Sequence, residues 1–173
     1  PANGPKALGP ERAYSFQYGN AFFLILDSGA SIEDQTAWVK EQLAGCTAAW
    51  KFAVFHFPPY SPDEDYPEIR REWGTLFDTY HVDLVLSGHV HHYLRTYPLK
   101  NGQRMESPAD GTVYMITVAV PGRGWKRKAP EYAAAADFSG VPLYQLFSID
   151  GNRLISRAYD AEGKVRDELT IEK

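Results

Sequence analysis

The sequence predicts an α/β fold in which a mainly parallel sheet gives way to antiparallel hairpins. Three observations carry that expectation. Residues 22–26 (FFLIL), 52–57 and 82–86 are short apolar runs of the kind that form strands buried on both faces. A helical pattern separates each from the next, and strand–helix–strand order favours right-handed crossovers in a parallel sheet. Later in the chain Asn101-Gly102, Asp150-Gly151 and Glu162-Gly163 fall between strand-like runs, where such dipeptides mark hairpins.

The elements follow in order. Residues 1–13 are rich in Pro and Gly and read as loop. Tyr14, Phe16 and Tyr18 alternate with polar residues, as in an edge strand. The run 22–26 ends at Asp27-Ser28-Gly29. A helix follows: Ser31 can cap it, with Asp34 three residues on, Gly45 can close it, and Ile32, Val39 and Leu43 fall on one face. The strand over 52–57 ends in His56-Phe57-Pro58-Pro59. A second helix is expected over 67–80, with Pro67 in its first turn and the acids Asp63, Glu64 and Asp65 before it. Ile69, Trp73, Leu76, Phe77 and Tyr80 make its apolar stripe. The strand 82–86 runs into Ser87-Gly88-His89. A further strand is expected over 113–120, and residues 133–136 are a short alanine run.

At 173 residues the chain suits one domain, 1–173, able to bury roughly 70% of its unfolded surface. Hydrophobic residues at 44% and charged residues at 23% argue against disorder. A net charge of −4 gives no support to nucleic-acid binding. No apolar run approaches the roughly 18 residues of a membrane helix, and no signal peptide is visible. Cys46 is the only cysteine, so no internal disulfide forms and the redox compartment stays open.

Histidines carry the chemistry. Ligands of open α/β sheets bind outside the carboxyl ends of the strands. His56 stands at such an end, and His89 and His91 stand just past the next one. In an extended segment residues i and i+2 point the same way, so His89 and His91 would aim two imidazoles at one place, with Gly88 allowing the sharp exit. Neutral imidazole suits zinc, iron and similar metals. Three unrelated, hydrogen-bonded histidines are the bland reading. His92 would face away from His91, for packing or for substrate. His81 reads as structural, near a helix C-terminus.

The stretches Ala53 to Tyr60 (AVFHFPPY) and Val82 to His91 (VDLVLSGHVH) resemble the last two motifs of the calcineurin-like metallophosphoesterases. The continuation through Leu94 and Arg95, and the segment from Tyr14 to Ser28 leading to a helix with Gln35 and Trp38, are most similar to the purple acid phosphatase branch. The resemblance implies a metallophosphoesterase-type β-sandwich flanked by helices, of which this chain resembles the C-terminal half. It also implies two metal ions (Fe, Zn or Mn) at the strand ends, with His56 and His89 on one and His91 on the other. It implies metal-dependent hydrolysis of phosphate esters, acid phosphatase-like, and tilts the parent protein towards a secreted or periplasmic location. The family's first three motifs supply the carboxylates, and the chain resembles the family only from just after them.

Charge supports that expectation. Two cations roughly 3.5–4 Å apart repel strongly, and neutral imidazoles cannot offset them. Three histidines also cannot fill two coordination shells. The chain by itself is therefore expected to be catalytically incomplete. Asp27 could serve as a carboxylate ligand but reads better as a turn residue, and Asp63, Glu64 and Asp65 read as helix-start acids. Residues 60–80 contain no histidine, so the leaving-group acid has no candidate. Arg123, Lys126, Arg127 and Lys128 could rim the site and attract an anion, or form a solvated surface. A sheet lacking strands leaves edges that invite a homodimer or a complementary N-terminal fragment. Two alternatives stay open: a binding or scaffold protein without catalysis, and a cyclic-nucleotide phosphodiesterase.

Overall fold

The computed structural model describes residues 3–117, 119–122 and 124–173. Its strands are β1 (Tyr14–Tyr18), β2 (Ala21–Ile25), β3 (Trp50–Val54), β4 (Leu84–Ser87), β5 (Tyr93–Thr96), β6 (Leu99–Lys100), β7 (Gln103–Arg104), β8 (Val113–Ile116), β9 (Ala133–Asp137), β10 (Leu143–Asp150), β11 (Arg153–Asp160) and β12 (Val165–Glu172). The helices are α1 (Glu33–Ala44), α2 (Pro67–Ile69) and α3 (Thr75–Tyr80), with a π-helical stretch Arg70–Gly74 joining the last two.

Among the described residues the strands form a seven-stranded sheet in the order β1-β2-β3-β4-β8-β5-β9, a three-stranded sheet β10-β11-β12 and the small ribbon β6-β7. The pairs β2–β3, β3–β4 and β4–β8 are parallel, as expected from the strand–helix–strand order. β1 is the antiparallel edge strand its alternation predicts. All three hairpin dipeptides lie at turns, between β6 and β7, β10 and β11, and β11 and β12.

The seven-stranded sheet buries both faces. Phe22 and Leu24 of β2, Ala53 of β3 and Val85 of β4 pack under Val39 and Leu43 of α1 and under Ile69, Trp73 and Phe77. The alternate residues Ala21, Trp50, Phe52, Leu84, Val113 and Met115 pack against Leu143, Leu154, Ala158 and Ile171 of the three-stranded sheet. The result is a β-sandwich with helices on one outer face, and period-two alternation assigns each residue to a layer. One polar clamp fastens the two sheets. Tyr93 Oη and Arg95 Nε donate to Asp167 Oδ2 at 2.7 and 2.6 Å.

Two details depart from expectation, and two more lie outside it. The 67–80 helix is not uniform: Ile69, Trp73 and Phe77 are spaced by four, which drifts off one face of a 3.6-residue period. The π stretch between them widens the turn and keeps all three buried. The expected strand 113–120 ends at Ile116. Val118 lies outside the described residues, and Ala119 makes only an isolated bridge to Leu143. The alanine run is strand β9. Most consequentially, β4 does not pair with the next strand in sequence. β8 lies between β4 and β5, so the chain leaving β4 must arch over the end of β8, a gap of about 10 Å at ordinary strand spacing, before it re-enters as β5.

Candidate metal centre

That arch, residues 88–92, carries the histidines. Backbone bonds stitch its start to the neighbouring strand exit: Phe55 N donates to Leu86 O at 3.1 Å, and Gly88 N donates to His56 O at 3.0 Å. The stitching brings His56 and His89 together. His56 Nε2 and His89 Nδ1 are 3.1 Å apart. Phe57 packs edge-on against the His89 ring at 4.7 Å and stacks on Tyr66 at 5.0 Å, while Phe57 N donates to Ser28 Oγ at 2.9 Å. The His89 ring is thus flanked by Phe57 and Tyr66, both on the connection from β3 to α2 that also bears His56.

The expectation of an extended segment is overturned. Residues 89–92 are bends, and His89 has φ +68°, the left-handed region that a residue with a Cβ rarely adopts. The positive φ falls on His89 and not on Gly88. The arch over β8 is the physical reason, since a straight continuation of β4 would run past β5. His91 still shares a place with His89, but through curvature and not through i, i+2 alternation. Both line a shallow cavity of about 270 Å³ with Asp63, Glu64, Val90, His92 and Trp125. His91 is exposed on its rim, and His56, also exposed, lies outside the lining.

The acidic loop also differs from its reading as helix-start charge. None of its carboxylates caps α2. Glu64 turns to the histidines, with both carboxylate oxygens 3.2 Å from His89 Nε2. Tyr66 Oη donates to Glu64 and, with the His89 contact, holds that carboxyl below its ordinary range; burial and the same bond push the Tyr66 phenol up to about 12. Asp63 takes an ion pair from Arg127 at 2.6 Å and faces His92 Nδ1 at 3.5 Å. Asp65 pairs with Arg70 at 2.6 Å. The signal that could have found Glu64 is its position on the loop that leaves the His56 strand end.

The remaining candidates make contacts of other kinds. Asp27 accepts from Gly29 N at 3.0 Å and pairs with Arg12 at 2.6 Å, a turn role. His92 is 3% exposed, packed edge-on against Phe138, and burial lowers its pKa; Nε2 has no partner among the described residues. His81 closes α3 at φ +51° and meets Asp83 at 3.3 Å. Lys126 and Lys128 are exposed, Arg127 reaches the cavity through Asp63, and Arg123 lies outside the described residues.

Among the described residues no three of His, Cys, Asp and Glu are arranged to hold a metal ion. The imidazole pair nevertheless fits one. Two ligands about 2.0–2.1 Å from an ion stand roughly 2.9–3.3 Å apart for angles between octahedral and tetrahedral. The His56–His89 spacing falls inside that interval.

Comparison with known proteins agrees with the fold and the motifs. The calcineurin-like phosphoesterase family matches residues 14–93. An uncharacterised protein of Mycobacterium tuberculosis is 38% identical over 80 residues, 42% of this chain and 15% of that protein. Purple acid phosphatase 23 of Arabidopsis thaliana is 34% identical over 98 residues, 51% of this chain and 21% of that protein. The structure of a purple acid phosphatase from yellow lupin seeds superposes with a TM-score of 0.79 over 92% of this chain and 32% of its own, at 19% identity, which speaks for the fold. The chain therefore spans about a third or less of the length of these relatives. Residues 14–93, which hold both histidine motifs at the exits of adjacent parallel strands, match the calcineurin-like phosphoesterase family, and the chain is similar to the purple acid phosphatases.

Proposed function

We propose that this chain contributes His56, His89 and His91 to a two-metal centre that hydrolyses phosphate monoesters, in the manner its purple acid phosphatase relatives' name implies. The observation that supports this most is the 3.1 Å approach of His56 and His89, held by a backbone bond across two strand exits and by a left-handed His89. Strained backbone is retained where surrounding structure enforces it, and it concentrates at functional sites. His56 and His89 would share one ion and His91 would face the second, each of Fe, Zn or Mn. Bound there, the ions would polarise phosphoryl oxygens and make a water acidic enough to attack phosphorus. The water oxygen bonds to phosphorus, the bond to the alcohol oxygen breaks, and the alcohol leaves carrying a proton.

The chain's own residues orient and hold. Phe57 and Tyr66 fix the His89 ring plane. Glu64, against His89 Nε2, sets which ring nitrogen carries the proton and so leaves Nδ1 as the lone-pair donor. Arg127, neutralised by Asp63, keeps a cation beside the cavity without adding net charge.

The carboxylates that must balance two cations are not assembled around the trio, and we take them to come from residues outside this chain. On that reading the chain is one domain's C-terminal part, incomplete as a catalyst by itself, and a preceding segment or a second copy completes it. Location in an exported compartment belongs to the same proposal. Among the described residues no helix is long and apolar enough to cross a membrane.

The test is metal content of the full-length protein by elemental analysis, with a His89→Ala variant alongside. Two ions per chain, lost in the variant together with hydrolysis of a phosphomonoester panel, is the expected result. A metal-free protein inert on that panel would sink the proposal and favour the binding or scaffold reading. Activity confined to cyclic nucleotides would move the assignment to a phosphodiesterase.

A further inference from the structure

We infer that Trp125 is a stacking platform for the leaving group, so that the histidine site takes phosphomonoesters of planar, ring-bearing alcohols (nucleoside monophosphates, aryl phosphates) in preference to those of small aliphatic alcohols. The inference rests on the phosphoesterase reading above and names its substrate class. Trp125 is 53% exposed and lines the same cavity as His89 and His91. A large aromatic surface left open at the rim of a polar cavity calls for an explanation that a buried one does not.

The indole is held, not merely exposed. Trp125 N donates to Phe138 O at 2.7 Å, and Gly122 N donates to Gly140 O at 3.3 Å. The two backbones are close enough that a Cβ on Gly124 would lie 2.6 Å from Ser139 O, and one on Gly140 would lie 2.5 Å from Gly122 O. Only glycine permits that approach. Arg127 packs against the ring, its guanidinium carbon 5.2 Å from the indole centroid and 5.7 Å from the Phe138 ring, and Asp63 pins the guanidinium at 2.6 Å. A preorganised aromatic costs little to stack upon.

Size decides what meets it. The cavity's volume of about 270 Å³ falls below the usual range for pockets that engulf a whole ligand. It accommodates the phosphate against the histidines and leaves the alcohol moiety at the mouth, where the indole stands. Phosphoryl transfer to water leaves the ring itself unchanged. The stack is therefore made alike in ground and transition states and is felt chiefly in KM.

The experiment compares AMP with glycerol 2-phosphate on the metal-loaded full-length protein, as wild type, Trp125→Ala and Trp125→Phe. The ratio of kcat/KM for AMP over glycerol 2-phosphate falls at least about fivefold in Trp125→Ala, through KM, and Trp125→Phe recovers most of it; that is the low end for losing one base–aromatic stack. An unchanged ratio overturns the inference while leaving the phosphoesterase reading intact. Tryptophan fluorescence gives a second reading without turnover. AMP quenches the wild type, and the quenching is lost in Trp125→Ala. If no phosphomonoester is hydrolysed, the phosphoesterase reading falls and the leaving-group role falls with it; quenching that still needs Trp125 would then show ring binding beside the histidines without turnover.

Discussion

The carboxyl edge of the parallel sheet and the C-terminal meander β10-β11-β12 are built on opposite principles. The meander pairs eight residues to eight between β10 and β11 without a break, and its hairpins take positive φ at glycines (Gly151, Gly163). Its side chains alternate between core and solvent. At the carboxyl edge the ladder ends in bends, and positive φ falls on His89, which has a Cβ. There the side chains are polar, crowded and turned toward one cavity. The difference teaches that regular pairing supplies rigidity while the irregular exits, fixed by that rigidity, supply chemistry. The Tyr93–Asp167–Arg95 clamp joins the two: β5 begins where the histidine arch ends, and β12 holds it.

Substitutions can break or sharpen that division. The largest expected effect is at the clamp. Asp167→Ala leaves Arg95 without its carboxylate in a largely buried place and should cost about 3–5 kcal/mol in urea unfolding, with the metal content of the surviving folded protein unchanged. Loss of metal at intact stability would show that the meander belongs to the site. Next is Gly140→Ala, where φ is +79° and a Cβ would meet Gly122 O. It should cost about 1–3 kcal/mol and displace the Trp125 loop, seen as weaker quenching by AMP. His89→Gly is the sharpest discriminator. Relief of the left-handed backbone should stabilise the metal-free protein by about 1 kcal/mol while metal affinity falls. A loss of stability instead would mean that His89 is a packing residue. Smallest is Ser31→Ala, which removes the bond from Asp34 N at 3.2 Å on the helix face, remote in role from both regions. It should cost about 0.5–1 kcal/mol and leave metal content alone.

Much of this was legible in the residues. Buried strands announce themselves as continuous apolar runs, and βαβ order fixes their parallel pairing, so β2, β3 and β4 and the exits bearing His56 and His89 could be placed before any coordinates. Glycine-bearing dipeptides gave the three hairpins because positive φ selects them. The helix over 67–80 was legible as a stripe, but its π stretch was not, since periodicity averages over a turn. Glu64 escaped because charged residues in loops look alike in sequence whether they face solvent or a site, and for the same reason Arg127 could be named only as one of four basic residues able to rim the site or form a solvated surface. Trp125 escaped because its place depends on close glycine packing between segments distant in the chain.

The amino-acid sequence by itself determined which strand ends would carry the candidate histidines, because local hydrophobic pattern and the handedness of crossovers are short-range physics. Only the tertiary structure decided how they meet. β8 arrives from later in the chain to lie between β4 and β5, and that insertion forces the arch, the left-handed His89 and the 3.1 Å approach to His56. Strand order in a sheet is set by the packing of all its layers at once, and no local stretch of sequence encodes it.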